Sequence, residues 1–162
     1  MKTIEQDIWQ KHKEGATVVV PTNGNRNSMG LAVMGANLAL DAAKRFPLLP
    51  IELGELLRLH GNQVFKFPTY RLFTFPTKKD WRDKADLTLI RQGAMQLLAY
   101  SKLDPKAFPV AIPMLGCGAG GLEWEQVAPI IEEFIGDLVV LVKPKESYGK
   151  VEQPANGVAR KA

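Results

Sequence analysis

FPVAIPMLGCGAGG, residues 108–121, is the stretch of the chain that most constrains its fold. Its first six residues, 108–113, are apolar or proline, which is typical of a short strand that is buried on both faces. The strand leads directly into a glycine-rich loop at 116–121, and the residues from Glu123 to Ile135 follow a helical pattern. A strand that passes through glycines into a helix is the repeating unit of α/β folds.

The rest of the chain alternates in the same way. Residues 16–21 (ATVVVP) predict a buried strand, and the Ala, Leu and Met residues of 29–46 predict a helix that Pro47 ends. Further predicted elements are helices at 48–59 and 86–103, the second capped by Asp86, and strands at 63–67, 70–75 and 138–142. The pattern predicts a three-layer α/β/α fold, with a mixed or mostly parallel central sheet between helices.

The composition is that of one globular domain. The chain has 162 residues, of which 46% are hydrophobic and 23% are charged, enough to bury one substantial core. The one cysteine, Cys117, cannot form an internal disulfide, and with His12 and His60 it falls short of a structural zinc site, so we expect neither metal nor cofactor. No apolar run is long enough for a membrane span, and the first 13 residues do not resemble a signal peptide. We therefore expect a cytoplasmic protein with no membrane partner.

The net charge of +4 is a weak indication of a polyanionic partner such as nucleic acid. Much of the excess lies near the C-terminus, beside Pro144, Pro154 and Gly157. The basic residues there are Lys143, Lys145, Lys150, Arg160 and Lys161. We predict a globular domain over 1–143 and a flexible basic tail over 144–162.

Two glycine-rich loops are the candidate ligand site, because ligands of α/β sheets bind where strands end and loops lead into helices. They span Thr22–Gly30 and Met114–Gly121, and their main-chain amides could converge on an anion such as a diphosphate. Residues 116–121 also match the G-x-G-x-x-G dinucleotide motif, but only one strand follows, too little for a second mononucleotide-binding half. Cys117 has no histidine near it in sequence, which favours a small buried thiol over a nucleophile.

Three segments together resemble the macro domains, and more narrowly the branch that contains the DarG antitoxins, which are DNA ADP-ribosyl glycohydrolases. They are VPTNG at 20–24 with AVMG at 32–35, FPTKKDWR at 75–82, and IPMLGCGAGGLEW at 112–124. The resemblance runs from Asp7 to Val142 in the expected order. It implies a macro domain fold for residues 1–143 and ADP-ribose, or a group that carries it, as the ligand.

The resemblance implies roles for individual residues. Lys78 fills the position of a catalytic lysine, either as a neutral amine that attacks the anomeric carbon or as an ammonium that stabilises the leaving group. The neighbouring Lys79 and Arg82 would favour the neutral form. Asn23 matches the asparagine beside the distal ribose and joins Lys78 as a catalytic candidate. Trp81, in the same loop, either stacks on a base or anchors the loop, and we favour the anchor.

Asp7 and Ile8 match the pair at the adenine, although Asp7 could equally cap the helix that starts at Ile8. The full set of implied ADP-ribose contacts is Asp7, Ile8, Thr22, Gly30, Val33, Met34, Gly35, Pro113, Leu115, Gly116, Cys117, Gly118, Ala119, Gly120 and Gly121. Two departures concern the first loop: Ala36-Asn37 replaces a basic residue and glycine, and residues 25–27 lengthen it. Tyr148 is a candidate to stack on the adenine.

Three functions follow from the resemblance. The first is an enzyme, an ADP-ribosyl glycohydrolase that removes ADP-ribose from a modified macromolecule, with DNA favoured. The second is a module that only binds ADP-ribose or an NAD-derived signal, and the third is a phosphatase of ADP-ribose 1″-phosphate. We expect a monomer, because a module of this size needs no partner to bury its core.

Overall fold

The structure, a computed structural model, describes residues 1–145 and contains one six-stranded sheet. The strands are β1 (Lys2–Glu5), β2 (Val18–Thr22), β3 (Phe65–Phe67), β4 (Leu72–Pro76), β5 (Val110–Ile112) and β6 (Val139–Lys143). Their order across the sheet is β1-β6-β5-β2-β4-β3. Every neighbouring pair is parallel except the edge pair β3 and β4, so the sheet is mixed, as the sequence predicts.

Helices cover both faces of this sheet. They are α1 (Ile8–Lys13), α2 (Asn37–Arg45), α3 (Leu49–His60), α4 (Leu87–Leu103) and α5 (Trp124–Ile135). Successive residues of a strand face opposite sides of the sheet. Val19 accordingly packs in an apolar cluster with α4 and α5, whereas Val18 and Val20 pack in a second cluster with α1, α2 and α3. The three-layer α/β/α architecture is therefore confirmed, and the unbroken valine run of β2 reflects burial on both faces.

The helix predicted for 29–46 is wrong in its first half, because α2 begins at Asn37. Gly30 has φ +83°, a left-handed conformation that a helix does not continue through. The segment is instead extended: Ala32 forms a bridge with Arg26 and donates its main-chain N–H to the carbonyl of Pro50 at 2.9 Å. Ala32 and Met34 are buried by a packed loop rather than by a helical face, whereas Met29 is 80% exposed. Gly30 therefore does not lead directly into a helix, as its loop was expected to do.

The sequence did not predict β1. Its residues, KTIE, include one apolar side chain, Ile4, and the strand pairs with β6 at the edge of the sheet, where Thr3 lies opposite Leu141. A short edge strand with mostly exposed side chains carries almost no hydrophobic alternation. Its position is decided by main-chain pairing with β6.

The other helix predictions are confirmed. The Asp86 carboxylate accepts from the main-chain N–H of Thr88 at 2.8 Å and caps α4, and Gly61 follows α3 with φ +83°. Within residues 1–145, no helix combines the length and the apolarity that a bilayer crossing requires. Most of the predicted basic tail, together with Tyr148, lies outside the described residues.

Candidate functional site

Three loops meet at the carboxyl ends of the central strands. This is because β2 is parallel to both of its neighbours, β4 and β5, so that all three strands end on the same side of the sheet. The first loop, 23–36, follows β2. The lysine loop, 77–86, follows β4, and the glycine loop, 113–123, follows β5. Since β2 lies between β4 and β5, the first loop lies between the other two. Parallel pairing thus brings together segments that are far apart in sequence.

Unpartnered main-chain amides line the junction of the first loop and the glycine loop. A Cβ added at Gly118 would lie 3.9 Å from the Nδ2 atom of Asn37, the first residue of α2, so the two loops approach closely. Gly35 and Ala36 on one side and Gly118 and Ala119 on the other are exposed. Among the hydrogen bonds of residues 1–145, none uses the N–H of these four residues as donor. Free N–H groups on two adjacent loops can together bind an anion.

The glycines of the glycine loop serve two different purposes. Gly116 has φ +77°, and a Cβ at Gly120 would lie 2.5 Å from the Gly116 carbonyl oxygen, so both are required by the backbone and its packing. A Cβ at Gly118 would meet only ordinary van der Waals space. Packing alone therefore does not explain Gly118, whose open surroundings leave its amide accessible.

The side-chain amine of Lys78 joins the lysine loop to the glycine loop. Its Nζ donates to the main-chain carbonyls of Trp81 at 3.3 Å and Ala119 at 3.4 Å. The position of its backbone is held by Asn62, whose Nδ2 donates to the Lys78 carbonyl at 3.0 Å. The structure thus brings Lys78, the predicted catalytic residue, to the edge of the predicted diphosphate loop.

A polar clamp ties the first loop to the lysine loop. Asn25 donates from Nδ2 to the Asp80 carboxylate at 3.1 Å and accepts at Oδ1 from the main-chain N–H of Trp81 at 2.6 Å. Hydrogen bonds from the Arg82 side chain and main chain, with the one from Asn25, hold the pKa of the Asp80 carboxyl well below its usual range. Lys79 and Arg82 are the two cations expected to favour the neutral form of the Lys78 amine. The charge of Arg82 is partly neutralised by its ion pair with Asp80, whereas Lys79 forms no ion pair within residues 1–145.

Sequence reasoning did not identify Asn25, Asn62 and Asp80 as residues that hold the site. In the sequence, Asn25 and Asn62 have the pattern of ordinary turn residues, and Asp80 is one charge in a basic loop. Their partners lie 16 to 56 positions away, and only the folded chain shows these pairings.

Asn23 organises the first loop. Its Nδ2 donates to the Val33 carbonyl at 3.1 Å, and its Oδ1 accepts from the main-chain N–H of Asn25 at 2.8 Å. An amide has two N–H donors, so one remains for a ligand while the other holds the loop. Val33 is further tied by its N–H to the Asn25 carbonyl at 3.0 Å. Asn23 therefore positions the loop that carries Val33, Met34 and Gly35.

Gly30 and Leu115 are two predicted contacts that are engaged in packing within the chain. The Gly30 N–H already donates to the carbonyl of Asn27 at 2.9 Å, and the Gly30 carbonyl packs so closely on Gly54 that a Cβ there would lie 2.1 Å away. The structure thus places Gly30 against α3 and not with the free amides. Leu115 is fully buried in the core, so its side chain is not available to a ligand.

Asp7 caps α1, which is one of the two roles that the sequence left open for it, the other being a contact with the adenine. One carboxylate oxygen accepts from the main-chain N–H of Trp9 at 2.9 Å. The side chain is exposed, and its second oxygen accepts no hydrogen bond from any residue of 1–145. Capping and an additional contact to a donor such as an adenine amine are therefore compatible. Asp7 and Ile8 follow β1, which ends at the same edge of the sheet as β5 and β6.

Cys117 has the environment of an unreactive thiol. Burial, with the nearby negative charges of Glu123 and Glu125, raises the pKa of the thiol, and its Sγ lies 3.4 Å from the carbonyl of Leu115. His12 instead hydrogen-bonds the Tyr70 carbonyl at 2.8 Å. No group of three metal-ligating side chains occurs in the part of the chain that the structure describes.

Trp81 does not anchor the lysine loop through its ring, contrary to expectation. Its side chain is 54% exposed, and the Arg82 guanidinium lies 5.8 Å from the ring centroid. The main chain of Trp81 holds the loop instead, through its hydrogen bonds to Asn25 and Lys78.

Comparison with solved structures defines the class of the protein. The macrodomain of Mycobacterium tuberculosis DarG superposes with a TM-score of 0.66, covering 79% of this chain and 88% of that one at 26% identity. The macrodomain of Thermus aquaticus DarG gives 0.68, with 88% and 96% covered at 25% identity. Thermosipho africanus DarTG in complex with ADP-ribose gives 0.71, with 96% and 44% covered at 19% identity. The chain is therefore a macro domain.

Sequence similarity indicates which macro domains the chain resembles. No protein family model matches the chain. The DNA ADP-ribosyl glycohydrolase of M. tuberculosis is 31% identical over 108 residues, which is 60% of this chain and 30% of the relative. That of T. aquaticus is 30% identical over 117 residues, or 66% and 31%. The chain is thus similar to the DarG-like branch of macro domains, and it spans less than a third of the length of these curated relatives.

Proposed function

We propose that the chain is an ADP-ribosyl glycohydrolase, which removes ADP-ribose from a modified macromolecule, and that DNA is the favoured substrate. The observation that carries the proposal is the contact between the Lys78 amine and Ala119 of the glycine loop. It puts a potential nucleophile or cation beside the amides that would hold a diphosphate. The relatives from M. tuberculosis and T. aquaticus are DNA ADP-ribosyl glycohydrolases, which supports the choice of reaction.

The ligand is oriented by the two groups of free amides. Those of Gly35, Ala36, Gly118 and Ala119 would donate to diphosphate oxygens. The adenosine end would then extend toward Asp7, and the distal ribose toward Asn23 and Lys78. The ADP-ribose seen in T. africanus DarTG supports this choice of ligand.

Two roles are open to Lys78 in the hydrolysis. As a nucleophile, the neutral amine forms a bond to C1″ while the bond to the modified group breaks and that group takes up a proton. The glycosylamine so formed opens its ribose ring to an imine, which water hydrolyses to release ADP-ribose and regenerate the amine. As an ammonium, Lys78 stabilises the leaving group while water attacks C1″ directly. Borohydride reduction during turnover separates the two, because it traps an imine on Lys78 only in the first case.

The test uses a singly ADP-ribosylated DNA oligonucleotide. The wild type should restore the unmodified strand, and Lys78→Ala should lower the turnover rate by about 100-fold or more. The same variant should bind free ADP-ribose within about threefold of the wild type, since the free amides carry most of the affinity. Lys102→Ala is the matched control, because it removes the same charge from an exposed residue in the last turn of α4 and should remain active.

Four results contradict the proposal or redirect it. Unchanged turnover by Lys78→Ala removes the catalytic assignment, and the absence of calorimetric binding at millimolar ADP-ribose removes the site. Binding of ADP-ribose by a wild type that hydrolyses nothing identifies a reader module. Phosphate release from ADP-ribose 1″-phosphate identifies a phosphatase. The cytoplasmic location and the monomeric state stay predictions.

A further inference from the structure

We propose that Trp81 and the cations of its loop form a docking surface for the nucleic-acid strand that carries the ADP-ribose, and that a base of this strand stacks on the indole. The inference rests on the proposed function and deepens it by naming how the substrate beyond ADP-ribose is recognised. Its starting point is the exposed aromatic ring of Trp81, whose main-chain carbonyl accepts a hydrogen bond from the Lys78 amine.

The backbone of Trp81 is held rigidly while its ring is left in solvent. Its N–H donates to Asn25 at 2.6 Å, and its carbonyl accepts from the Lys78 amine at 3.3 Å. The indole is nevertheless 54% exposed, although burying it would bring a large hydrophobic gain. A pre-positioned exposed indole loses little conformational entropy when a flat partner covers it.

The charge of the surrounding loop is complementary to a phosphate backbone. Residues 78–84 (KKDWRDK) hold four cationic and two acidic side chains. The guanidinium of Arg82 lies over the indole and is fixed by Asp80, whereas Lys79 and Lys84 form no ion pair within residues 1–145. The alkyl chain of Lys84 passes 3.9 Å from the Cβ position of Gly121, which places this cation at the rim of the glycine loop.

An aromatic ring flanked by cations is the arrangement that holds single strands: bases stack on the ring, and phosphates pair with Lys and Arg. In a duplex, both faces of each base are already covered by neighbouring base pairs. The surface therefore fits an unpaired base next to the modified nucleotide. A protein substrate has no comparable repeat of anions and flat rings, which is why we commit to nucleic acid.

The experiment compares two substrates of different length. One is a single-stranded oligonucleotide of about ten nucleotides with one ADP-ribosylated base, and the other is the same ADP-ribosylated nucleoside without neighbours. Trp81→Ala should raise KM for the oligonucleotide about tenfold and leave that for the nucleoside within about threefold. Trp81→Phe, which retains a stacking ring, should recover most of the loss.

Leu103→Ala is the matched control, because Leu103 is another large apolar side chain, 82% exposed, at the far end of α4. It should leave both KM values unchanged. Lys84→Gln should weaken binding of the oligonucleotide and flatten its salt dependence. Equal effects of Trp81→Ala on both substrates, or no effect on either, would overturn the proposal, as would the same dependence with an ADP-ribosylated peptide.

Failure of the proposed function gives a different result. If the wild type hydrolyses neither substrate, fluorescence anisotropy with an unmodified single-stranded oligonucleotide still tests the surface. The docking surface is supported without hydrolysis if Trp81→Ala binds the single strand more weakly than Leu103→Ala does. The wild type should also bind a duplex more weakly than the single strand. Indistinguishable binding by the two variants refutes it whatever the catalytic result.

Discussion

The Lys78 amine donates a hydrogen bond to the main-chain carbonyl of Ala119 at 3.4 Å, across 41 positions of sequence. It links the loop after β4 with the loop after β5, although β2 separates these strands in the sheet. The first loop is tied to the same assembly through Asn25 and Asp80. The candidate site is thus one hydrogen-bonded unit built from three loops.

Gly118→Ala and Gly120→Ala should separate binding from stability. The methyl group at 118 has space and should leave the free energy of unfolding within about 0.5 kcal/mol, but it should weaken ADP-ribose about tenfold by covering the amides. The methyl at 120 would meet the Gly116 carbonyl at 2.5 Å and Ala85 at 2.8 Å, and should cost about 1–3 kcal/mol. Urea unfolding and calorimetry measure both quantities, and Gly35→Ala, also in open space, is a stability control. Tight ADP-ribose binding by a folded Gly118→Ala protein would be incompatible with our placement of the diphosphate.

Asn25→Ala should loosen the lysine loop. It removes the hydrogen bonds to Asp80 and from Trp81, each worth about 0.5–1.5 kcal/mol, and so allows Lys78 to leave its position. We expect kcat to fall about tenfold with KM for the ADP-ribosylated nucleoside little changed, since the glycine loop is intact. Asn25→Asp keeps the acceptor for Trp81 but opposes Asp80, so it should not restore kcat. A parallel loss of ADP-ribose affinity would show that Asn25 acts on the ligand and not through Lys78.

Cys117→Ala should keep hydrolysis within about threefold of the wild type, because the thiol is not used. Burial and the nearby Glu123 and Glu125 raise the pKa of this thiol, which keeps it protonated at neutral pH. Iodoacetamide should accordingly modify Cys117 slowly at pH 7, and faster only as the pH rises above the usual thiol range. Rapid alkylation at pH 7, or loss of turnover in the alanine variant, would make the cysteine a candidate nucleophile again.

Acidification should destabilise the fold through His12. Burial lowers the pKa of this imidazole, and nearby Arg71 and Arg45 lower it further, against the opposing effect of the hydrogen bond to the Tyr70 carbonyl. A lowered pKa in the folded state means that the folded chain binds fewer protons, so this stability is present above the unfolded value near 6.5 and is lost as the pH falls below it.

The melting temperature should therefore drop by about 2–4 °C or less between pH 7.5 and pH 5.5, in addition to any common effect of other groups. His12→Gln, which can still donate to the Tyr70 carbonyl but does not titrate, should reduce the drop. If both proteins lose the same amount, His12 does not contribute to the pH dependence.

Much of the architecture followed from local sequence. The strands β2, β4 and β5 are short apolar runs, buried on both faces, and Asp86 and Gly61 mark helix ends by their own conformational preferences. The glycine loop and Lys78 were identified because their motifs are contiguous. Local periodicity and contiguous motifs are readable without a partner, since their causes lie within a few residues.

Tertiary structure alone decided which residues hold the site and which apolar segments are helical. Residues 29–36 have helical composition, but they form a turn at Gly30 and an extended segment around Ala32 that packs on Pro50 and Gly54 of α3. Asn25, Asn62 and Asp80 become important through partners that are distant in sequence, and Trp81 is exposed because its main chain is held from both sides. The sequence predicted the loops of the site and Lys78. That these loops lie next to one another depends on the order of the parallel strands, which is a property of the whole sheet.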